Sequence, residues 1–177
     1  MITGLYNPYA SPAVSGTNLF VANFADGTNG TIGEYTTSGA TINASLITGL
    51  HSLYGIAISG SNLFVVNWGG GQAGAGTIGE YTTSGATVNS ALITGLNFPI
   101  GIAVSGNKLF VTTLNGVGEY TTSGVTVNPS LITGLSGPAG IAVVPEPSTW
   151  ALLTSGASAF LLFGNRHRRR RRKAMNA

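Results

Sequence analysis

Two β-strands and the tight turn between them are predicted by the stretch Tyr54-Gly55-Ile56-Ala57-Ile58-Ser59-Gly60-Ser61-Asn62-Leu63-Phe64-Val65-Val66-Asn67-Trp68. Its first six residues alternate large and small side chains, a period of two that indicates a strand with two differently shaped faces. Gly60-Ser61 is typical of a turn, and the nearly continuous apolar run after it indicates a strand covered on both faces. Further on, Thr77-Ile78-Gly79-Glu80-Tyr81 and Ala86-Thr87-Val88-Asn89 predict two more strands around the turn Thr82-Thr83-Ser84-Gly85. This unit is therefore predicted to be a four-stranded antiparallel meander.

The same unit recurs along the chain. Ile-Thr-Gly-Leu begins at residues 2, 47, 93 and 132, and Gly-Glu-Tyr-Thr-Thr-Ser-Gly begins at residues 33, 79 and 118. Repeats of roughly forty residues, each with four strands, are typical of propeller blades. The innermost strands are predicted at Gly55-Ile56-Ala57-Ile58, Gly101-Ile102-Ala103-Val104 and Gly140-Ile141-Ala142-Val143. We therefore predict an all-β fold over residues 1–144, a partial β-propeller of about three blades, followed by one C-terminal transmembrane helix.

Three blades are too few for an ordinary propeller ring, which uses four to eight. Residues 1–144 are therefore expected to be part of a longer propeller, an arc that closes by self-association of its open blade edges, or a β-solenoid. We favour the first, with the region truncated at its N-terminus, because the residues after Met1 lack the basic and apolar segments of a signal peptide.

The repeats also resemble a known group of propellers. Phe98-Pro99-Ile100-Gly101-Ile102-Ala103-Val104-Ser105-Gly106-Asn107-Lys108-Leu109-Phe110-Val111-Thr112 is similar to the repeats of the NHL and streptogramin-lyase-like propellers. The resemblance implies a propeller fold. The enzymes of that group hold a metal in the axial cavity with His, Glu, Asp or Asn, and residues 1–144 offer one histidine and four carboxylates.

The composition of residues 1–144 excludes several classes of site. Four acidic residues and Lys108 give this region a net charge of −3, so the basic character of the chain belongs to its C-terminus, and we predict no nucleic-acid binding. The chain has no cysteine, which removes thiol catalysis, thiolate metal sites and disulfides. His51 has no counterpart in the other repeats and is interpreted as a surface or loop histidine.

Two glycine-containing loops resemble ligand-binding motifs without meeting their requirements. Gly69-Gly70-Gly71-Gln72-Ala73-Gly74 matches a phosphate-binding pattern, but it lies between two predicted strands, where no helix N-terminus can bind phosphate. Asp26-Gly27-Thr28-Asn29-Gly30 has one carboxylate, whereas calcium needs several. Both are interpreted as loops, and no metal or cofactor is expected.

Two residue types recur at equivalent positions and have alternative interpretations. Glu34, Glu80 and Glu119 are more often solvated charges on an outer strand than an arc that binds cations or sugars. The tyrosines that follow them, at positions 35, 81 and 120, are expected to pack between blades rather than to stack on sugars. We therefore predict no catalytic residue and no enzymatic activity in this chain.

The last 33 residues have a different composition. Pro145-Glu146-Pro147 is followed by an apolar segment, residues 148–164, whose helix would be roughly 25 Å long at about 1.5 Å per residue, close to the thickness of a bilayer core. A basic cluster then spans residues 166–173 and comprises Arg166, Arg168, Arg169, Arg170, Arg171, Arg172 and Lys173. The positive-inside rule leaves this cluster in the cytoplasm and residues 1–144 outside.

These three parts, in this order, resemble the PEP-CTERM sorting signal of Gram-negative bacteria that make exopolysaccharide. The resemblance implies that a membrane-embedded exosortase recognises Pro145, Glu146 and Pro147 and removes the tail of a membrane-inserted precursor. The alternative is a tail retained as a simple membrane anchor. We therefore expect a cell-surface or extracellular-matrix protein with a structural or binding role, for which extracellular polysaccharide is a candidate partner. A fragment of a secreted propeller enzyme, lyase or lactonase-like, is the alternative.

Processing of the tail is directly testable. In a host with an exosortase, intact-mass analysis should show a mature protein without the basic cluster. Replacement of Glu146, or of the arginines, should leave unprocessed or misoriented protein in the membrane. A full-length C-terminus in that host would rule out cleavage.

Overall fold

In the computed structural model, described here for residues 5, 8, 10–24 and 29–144, twelve β-strands form three separate four-stranded antiparallel sheets. Each sheet is a meander whose strands pair in chain order, and each corresponds to one repeat of the sequence. The prediction of an all-β, propeller-like arrangement of three four-stranded blades is therefore confirmed. Residues Met1–Val143 belong to one compact unit.

The first blade comprises β1 (Ala13–Ser15), β2 (Asn18–Asn23), β3 (Gly30–Thr36) and β4 (Thr41–Leu50). The second comprises β5 (Leu53–Ser59), β6 (Asn62–Asn67), β7 (Gly76–Thr82) and β8 (Thr87–Leu96). The third comprises β9 (Ile102–Ser105), β10 (Lys108–Thr113), β11 (Gly116–Thr121) and β12 (Thr126–Thr133). The fourth strand of the second blade continues seven residues past the predicted end at Asn89, to Leu96.

The first two strands of each blade form a hairpin whose loop has two residues. Gly16, Gly60 and Gly106 occupy the first loop position with φ near +58°. A positive φ at that position is typical of a type II′ turn, whose twist matches that of the flanking strands. Gly-X is therefore required at this point of every repeat.

The turn Thr-Thr-Ser-Gly between the third and fourth strands is held by its own side chains. In the second blade, the Thr82 hydroxyl accepts a hydrogen bond from the Ala86 backbone N–H at 3.0 Å and lies 2.8 Å from the Ser84 hydroxyl. Gly85 has a φ of +91°. The first and third blades have the same contacts within 0.1 Å, which explains why this tetrapeptide recurs.

The fourth strand of each blade is irregular, and the repeated Ile-Thr-Gly-Leu explains one of its irregularities. In the second blade Ile78 pairs with Ile93 and Gly76 with Leu96, so the outer strand carries one extra residue between these two pairs. Gly95 lies there with a φ of +77°, as a glycine β-bulge requires. A second irregularity follows Asn89, whose side-chain oxygen accepts a hydrogen bond from the Ala91 N–H at 3.0 Å.

The repeated Gly-Glu-Tyr places a tyrosine ring over the strand that carries it. Residues i and i+2 share a face of a strand, and a Cβ added to Gly79 would lie 2.8 Å from Cε2 of Tyr81. Gly33 and Gly118 have the same relation to Tyr35 and Tyr120. The ring therefore needs the space that a glycine leaves free.

The blades stack face to face, with one apolar core between each neighbouring pair. The first core joins Phe20, Ile32, Ile47 and Leu50 of the first blade to Leu53, Ile56, Leu63, Val65 and Tyr81 of the second. The second core joins Phe64, Val66, Ile78, Ile93 and Leu96 of the second blade to Ile102, Leu109, Val111 and Tyr120 of the third. Each fully buried aliphatic side chain contributes about 1.5–3 kcal/mol relative to an exposed one, so the cores hold the blades together.

The inner strands approach each other most closely at glycines. A Cβ on Gly55 would lie 2.8 Å from the carbonyl oxygen of Ile100, and one on Gly101 would lie 2.8 Å from that of Ala139. The segment around Gly140 therefore lies beside the third blade as the third blade lies beside the second. The prediction that residues 140–143 form an innermost strand is nevertheless wrong, since they are not part of any sheet. Their alternating pattern fits a strand, but no strand of the described chain pairs with them.

Each connection to the following blade passes through one residue in the left-handed backbone region. Ser52 (φ 51°) and Phe98 (φ 49°) are the non-glycine residues with positive φ among those described, and Gly137 (φ 58°) occupies the equivalent position after the third blade. Only at this last connection does the sequence supply the glycine that this conformation favours.

The C-terminal predictions lie outside the described residues. They comprise the sorting motif at Pro145, Glu146 and Pro147, the transmembrane helix at residues 148–164 and the basic cluster at residues 166–173. Within the described ranges, no helix is long and apolar enough to cross a membrane.

Substitution of Gly118 by alanine should destabilise the fold by about 1–3 kcal/mol, because the new Cβ would overlap the Tyr120 ring in a packed core. Gly140→Ala is the matched control, since a Cβ there contacts nothing within 4 Å, and should change the free energy of unfolding little. Denaturant titration of the full chain measures both values.

A double-mutant cycle with Tyr120→Leu then tests the cause. Once the ring is absent, Gly118→Ala should cost measurably less. Equal costs with and without the ring would show that the glycine serves some other purpose.

Candidate functional site

Loops gather at one edge of the blades. In each meander the two hairpins lie at one edge, and the connection between the second and third strands lies at the other, together with the connection to the next blade. We call these the hairpin edge and the loop edge. Loops held by a rigid sheet scaffold commonly carry function, so the loop edge is the first place to look for a site.

A row of four aromatic side chains crosses the blades at the loop edge. Phe24 contacts Tyr54 edge to face with ring centroids 5.9 Å apart, and Tyr54 and Trp68 are 5.6 Å apart. Trp68 in turn lies 5.6 Å from Phe98, in the connection to the third blade. All four rings are half-buried. Each such pair is worth roughly 0.5–1.5 kcal/mol beyond its area burial, so the row fastens the blades together while part of its surface remains open to solvent.

A separate cavity of about 550 Å³ opens between the first and second blades. Its lining is rich in uncharged groups that donate or accept hydrogen bonds, from the backbone at Gly49, Gly69 and Gly70 and from side chains. The side chains of this kind are those of Ser52, Asn67, Thr77, Tyr81 and Ser90, and His51 also lines the cavity. Such a lining suits a neutral ligand rich in hydroxyl groups better than a strongly charged one.

Asn67 joins the two strands that border the cavity. Its side-chain N–H donates to the Thr77 hydroxyl oxygen at 3.1 Å, while its side-chain oxygen is buried and has no hydrogen-bond partner in the described chain. The next residue, Trp68, donates its backbone N–H to the Ser52 carbonyl oxygen at 2.9 Å. The cavity wall and the aromatic row are thus fixed to the same blade connection.

His51 lies in that connection, is exposed and lines the cavity. Its interpretation as a surface or loop histidine agrees with this position. The described residues contain no group of three or more His, Cys, Asp or Glu side chains close enough to hold a metal ion.

The three repeated glutamates are not solvated charges on an outer strand, and that expectation is wrong. They lie on the third strand of each blade, and Glu80 and Glu119 are buried, with 9% and 7% of their surface exposed. Each carboxylate is bound by a side chain of the neighbouring second strand. Asn18 and Asn62 donate to Glu34 and Glu80 at 2.7 Å, and Lys108 forms a 2.7 Å ion pair with Glu119.

These contacts make the glutamates part of the blade structure. One lies in each blade, on the half of the third strand nearer the hairpin edge. Sequence reasoning missed the role because the partner residue lies 11 to 18 positions away, on another strand. The signal was present as a polar residue, Asn18, Asn62 or Lys108, directly before a Leu-Phe-Val run in every repeat.

Two of the three tyrosines pack between blades, as predicted, whereas Tyr35 is buried in the first blade but belongs to neither core. Tyr81 belongs to the core between the first and second blades, and Tyr120 belongs to the core between the second and third. Burial raises the pKa of both phenols above the ordinary value of 10.0, because desolvation disfavours the phenolate. Their contribution to stability is therefore full below about pH 10 and is lost as the pH rises further.

The remaining candidates are quickly placed. Gly69 to Gly74 connects β6 to β7 with no helix after it, in agreement with its interpretation as a loop. Asp26 and the three residues of the sorting motif lie outside the described residues. Sequence analysis did not identify the aromatic row, whose members are Tyr54 in β5 and three residues of connections. Phe24 and Trp68 occupy equivalent repeat positions, but Tyr54 and Phe98 have no aromatic counterpart in the other repeats.

No family model and no curated protein sequence matches the chain. Similar solved structures include the gluconolactonase XC5397 of Xanthomonas campestris, at 14% identity and a TM-score of 0.58 over 73% of this chain and 48% of that one. A chain of the nidogen–laminin complex matches at 19% identity, with a TM-score of 0.55 over 71% and 47%. The PQQ-bound aldose sugar dehydrogenase of Streptomyces coelicolor matches at 14% identity, with a TM-score of 0.56 over 71% and 49%.

These similarities establish the β-propeller character of the fold. The matched part of this chain spans about half the length of each of these structures. At such low identity the similarity concerns the fold alone. The matches include two enzymes and a chain of the nidogen–laminin complex.

The ion pair of the third blade can be tested against the amide pairs of the other two. Lys108→Ala leaves the buried Glu119 carboxylate without its partner and should cost about 1–3 kcal/mol of stability. Lys108→Asn recreates the pairing seen at Asn18 and Asn62 and should retain most of that stability. Denaturant titration distinguishes the two variants, and equal losses would contradict a structural role for the pairing.

Proposed function

We propose that this chain is a non-catalytic protein of the cell surface or exopolysaccharide matrix, sorted by a PEP-CTERM/exosortase system, with a structural or binding role. The sorting half of the proposal rests on the sequence of the tail alone: the Pro145-Glu146-Pro147 motif, the apolar segment and the basic cluster. The precursor would be inserted in the membrane with residues 1–144 outside, and the mature form would reach the surface or matrix of a Gram-negative bacterium.

The binding half rests on the cavity at the loop edge. Its hydroxyl, amide and backbone groups are uncharged donors and acceptors, the partners that the hydroxyl groups of a polysaccharide require. Each hydrogen bond of this kind contributes only about 0.5–1.5 kcal/mol, so contact with one sugar segment would be weak. A matrix polymer repeats its units and compensates through many simultaneous contacts.

The use of the carboxylates supports a role without catalysis. Glu34, Glu80 and Glu119 are each engaged by Asn18, Asn62 or Lys108 inside a blade. They are therefore occupied in holding strands together, and none of the three lines the cavity. A hydrolase or lyase would need such groups beside the ligand.

The binding proposal can be tested at Ser90, which is exposed on the outer strand and lines the cavity. Full-length protein carrying Ser90→Leu should be retained on the host's own exopolysaccharide about fivefold less than wild type, which corresponds to the loss of one hydrogen bond. Ala44→Leu is the matched control, because Ala44 is exposed at the equivalent position of the first blade. Retention no better than that of an unrelated β-protein, or equal loss in both variants, would leave the matrix role without support.

A fragment of a secreted propeller enzyme is the alternative. Two similar structures are, by name, a gluconolactonase and an aldose sugar dehydrogenase, which makes carbohydrate chemistry the natural class for that alternative. Stoichiometric calcium or zinc binding at micromolar affinity, or turnover of a lactone by the full chain, would favour it.

A further inference from the structure

The aromatic row lies at the border of the apolar cores rather than inside them. All four rings are partly exposed, so none belongs to the buried residues of either core, and Tyr54 packs against the second core from its border. Tyr54 lies in β5 and Trp68 directly follows β6, both in the second blade, whose two faces are covered by neighbouring blades. The exposed part of these two rings therefore lies at the loop edge and not on an open blade face.

Trp68 is the central ring of the row, and its neighbours leave part of its indole free. The centroids of Tyr54 and Phe98 each lie 5.6 Å from that of Trp68, and their rings are tilted by 35° and 47° to it. Neither ring is parallel to the indole, so neither covers its face as a stacked ring would. A Cβ added to Gly71 would contact Cη2 and Cζ3 of Trp68 at 3.4 Å, so a side chain there would cover part of the indole that the glycine leaves uncovered.

The aromatic row and the polar cavity are built on the same two segments of the chain. Ser52 lines the cavity, and its carbonyl oxygen accepts a hydrogen bond from the Trp68 backbone N–H at 2.9 Å. Gly69 and Gly70 directly follow Trp68 and also line the cavity, and Tyr54 lies two residues after Ser52. The loop edge thus places an aromatic surface beside a set of hydrogen-bonding groups.

Neither the aromatic row nor the cavity lining contains a charged carboxylate, lysine or arginine side chain. In the described part of the chain, the side chains of these types are those of Glu34, Glu80, Lys108 and Glu119, and each is paired within its own blade. A charged ligand would find no opposite charge among the groups of the row and the cavity. The ligand that suits this edge is therefore neutral, with flat apolar surfaces as well as hydrogen-bonding groups.

A sugar ring in the pyranose form combines these two properties. Its hydroxyl groups project from the rim of the ring, whereas its C–H groups form a small apolar patch on the ring face. The face of an aromatic side chain is negative, so it attracts the slightly positive C–H groups. An acyl chain could pack on the aromatic rings but would offer no hydrogen bonds to the cavity, so the uncharged polar lining favours the sugar.

We infer that Trp68, with Tyr54 and Phe98 beside it, is a stacking site for the pyranose rings of a neutral polysaccharide. The inference rests on the polysaccharide binding proposed above and adds a second contact to it. One segment of the polymer stacks on the indole while the hydroxyl groups of the neighbouring segment bind in the cavity. The row thus has two roles, since the same rings also hold the blades together.

Two substitutions at Trp68 separate stacking on a ligand from packing within the protein. The equivalent positions of the other blades hold Phe24 and Leu114, so both residue types occur naturally there. Full-length Trp68→Leu, in a mild detergent that accommodates the apolar tail, should be retained on the host's own exopolysaccharide about fivefold less than wild type, as expected for the loss of one aromatic contact. Trp68→Phe keeps an aromatic face and should be retained nearly as well as wild type.

Val111→Ala controls for loss of stability. Val111 is fully buried in the core between the second and third blades and belongs to neither the row nor the cavity lining. Its truncation should lower the free energy of unfolding, measured by denaturant titration, without changing the retention of folded protein. Circular dichroism shows that each variant is folded before retention is compared.

Fluorescence gives a second readout that a purely structural role would not change. Trp68 and Trp150 are the two tryptophans of the chain, so the emission of a Trp150→Phe variant reports on Trp68 alone. A sugar stacked on the indole displaces water from it. The emission should therefore shift to shorter wavelength as the exopolysaccharide is added, and a soluble fatty acid should not produce this shift.

The outcomes distinguish this inference from the proposed function. If Ser90→Leu loses retention while Trp68→Leu does not, the cavity binds the polymer and the stacking site is wrong. Equal losses in Trp68→Leu and Trp68→Phe, or an emission unchanged by a polymer that retains the protein, would also overturn the inference. A wild-type protein retained no better than an unrelated β-protein would contradict the polysaccharide binding itself, and the stacking site with it.

Discussion

Every blade of this protein is a sheet with two apolar faces, and only another blade can cover such a face completely. The cores around Leu63 and Val65 on one side and Phe64 and Val66 on the other show how a single strand serves both junctions. Stability therefore comes from the stacking of blades, and the turns, bulges and paired glutamates give each blade the shape that allows its neighbours to pack.

Much of this architecture could be predicted from the sequence, because its determinants are local. Alternation in residues 54–59 and the apolar run of residues 63–66 identified two strands of the second blade, and the repeated Thr-Thr-Ser-Gly identified a hairpin. The alternation of large and small residues was not sufficient to predict a strand where no neighbouring strand is available to pair with it. Residues 140–143 have the alternation of an inner strand and lie beside the third blade, yet they form no sheet. Pro145 and Pro147, just beyond, cannot donate backbone hydrogen bonds to one.

The candidate site was harder to predict because its residues come from distant parts of the chain. Phe24 and Trp68 share a repeat position, but Tyr54 and Phe98 have no aromatic counterpart in the other repeats, so the repetition alone did not reveal the aromatic row. The exposure of the repeated glutamates was mispredicted for a related reason. A carboxylate in a mostly polar tetrapeptide appears solvent-exposed unless its partner is known, and Asn62 or Lys108 becomes a neighbour only when the second and third strands pair.

The similar contacts between neighbouring blades also have a consequence for how the chain folds. Nearly all of its sheet contacts join strands adjacent in sequence, so each meander can form before the following one exists, and folding can spread from blade to blade in the manner of a one-dimensional array. The second blade, covered on both faces, should then be the last to open. Amide protons of β6 and β7 would exchange most slowly with solvent, and those of β12, whose residues are all exposed, would exchange first. Because blades of similar sequence are covered to different extents, local stability is expected to vary along the repeats.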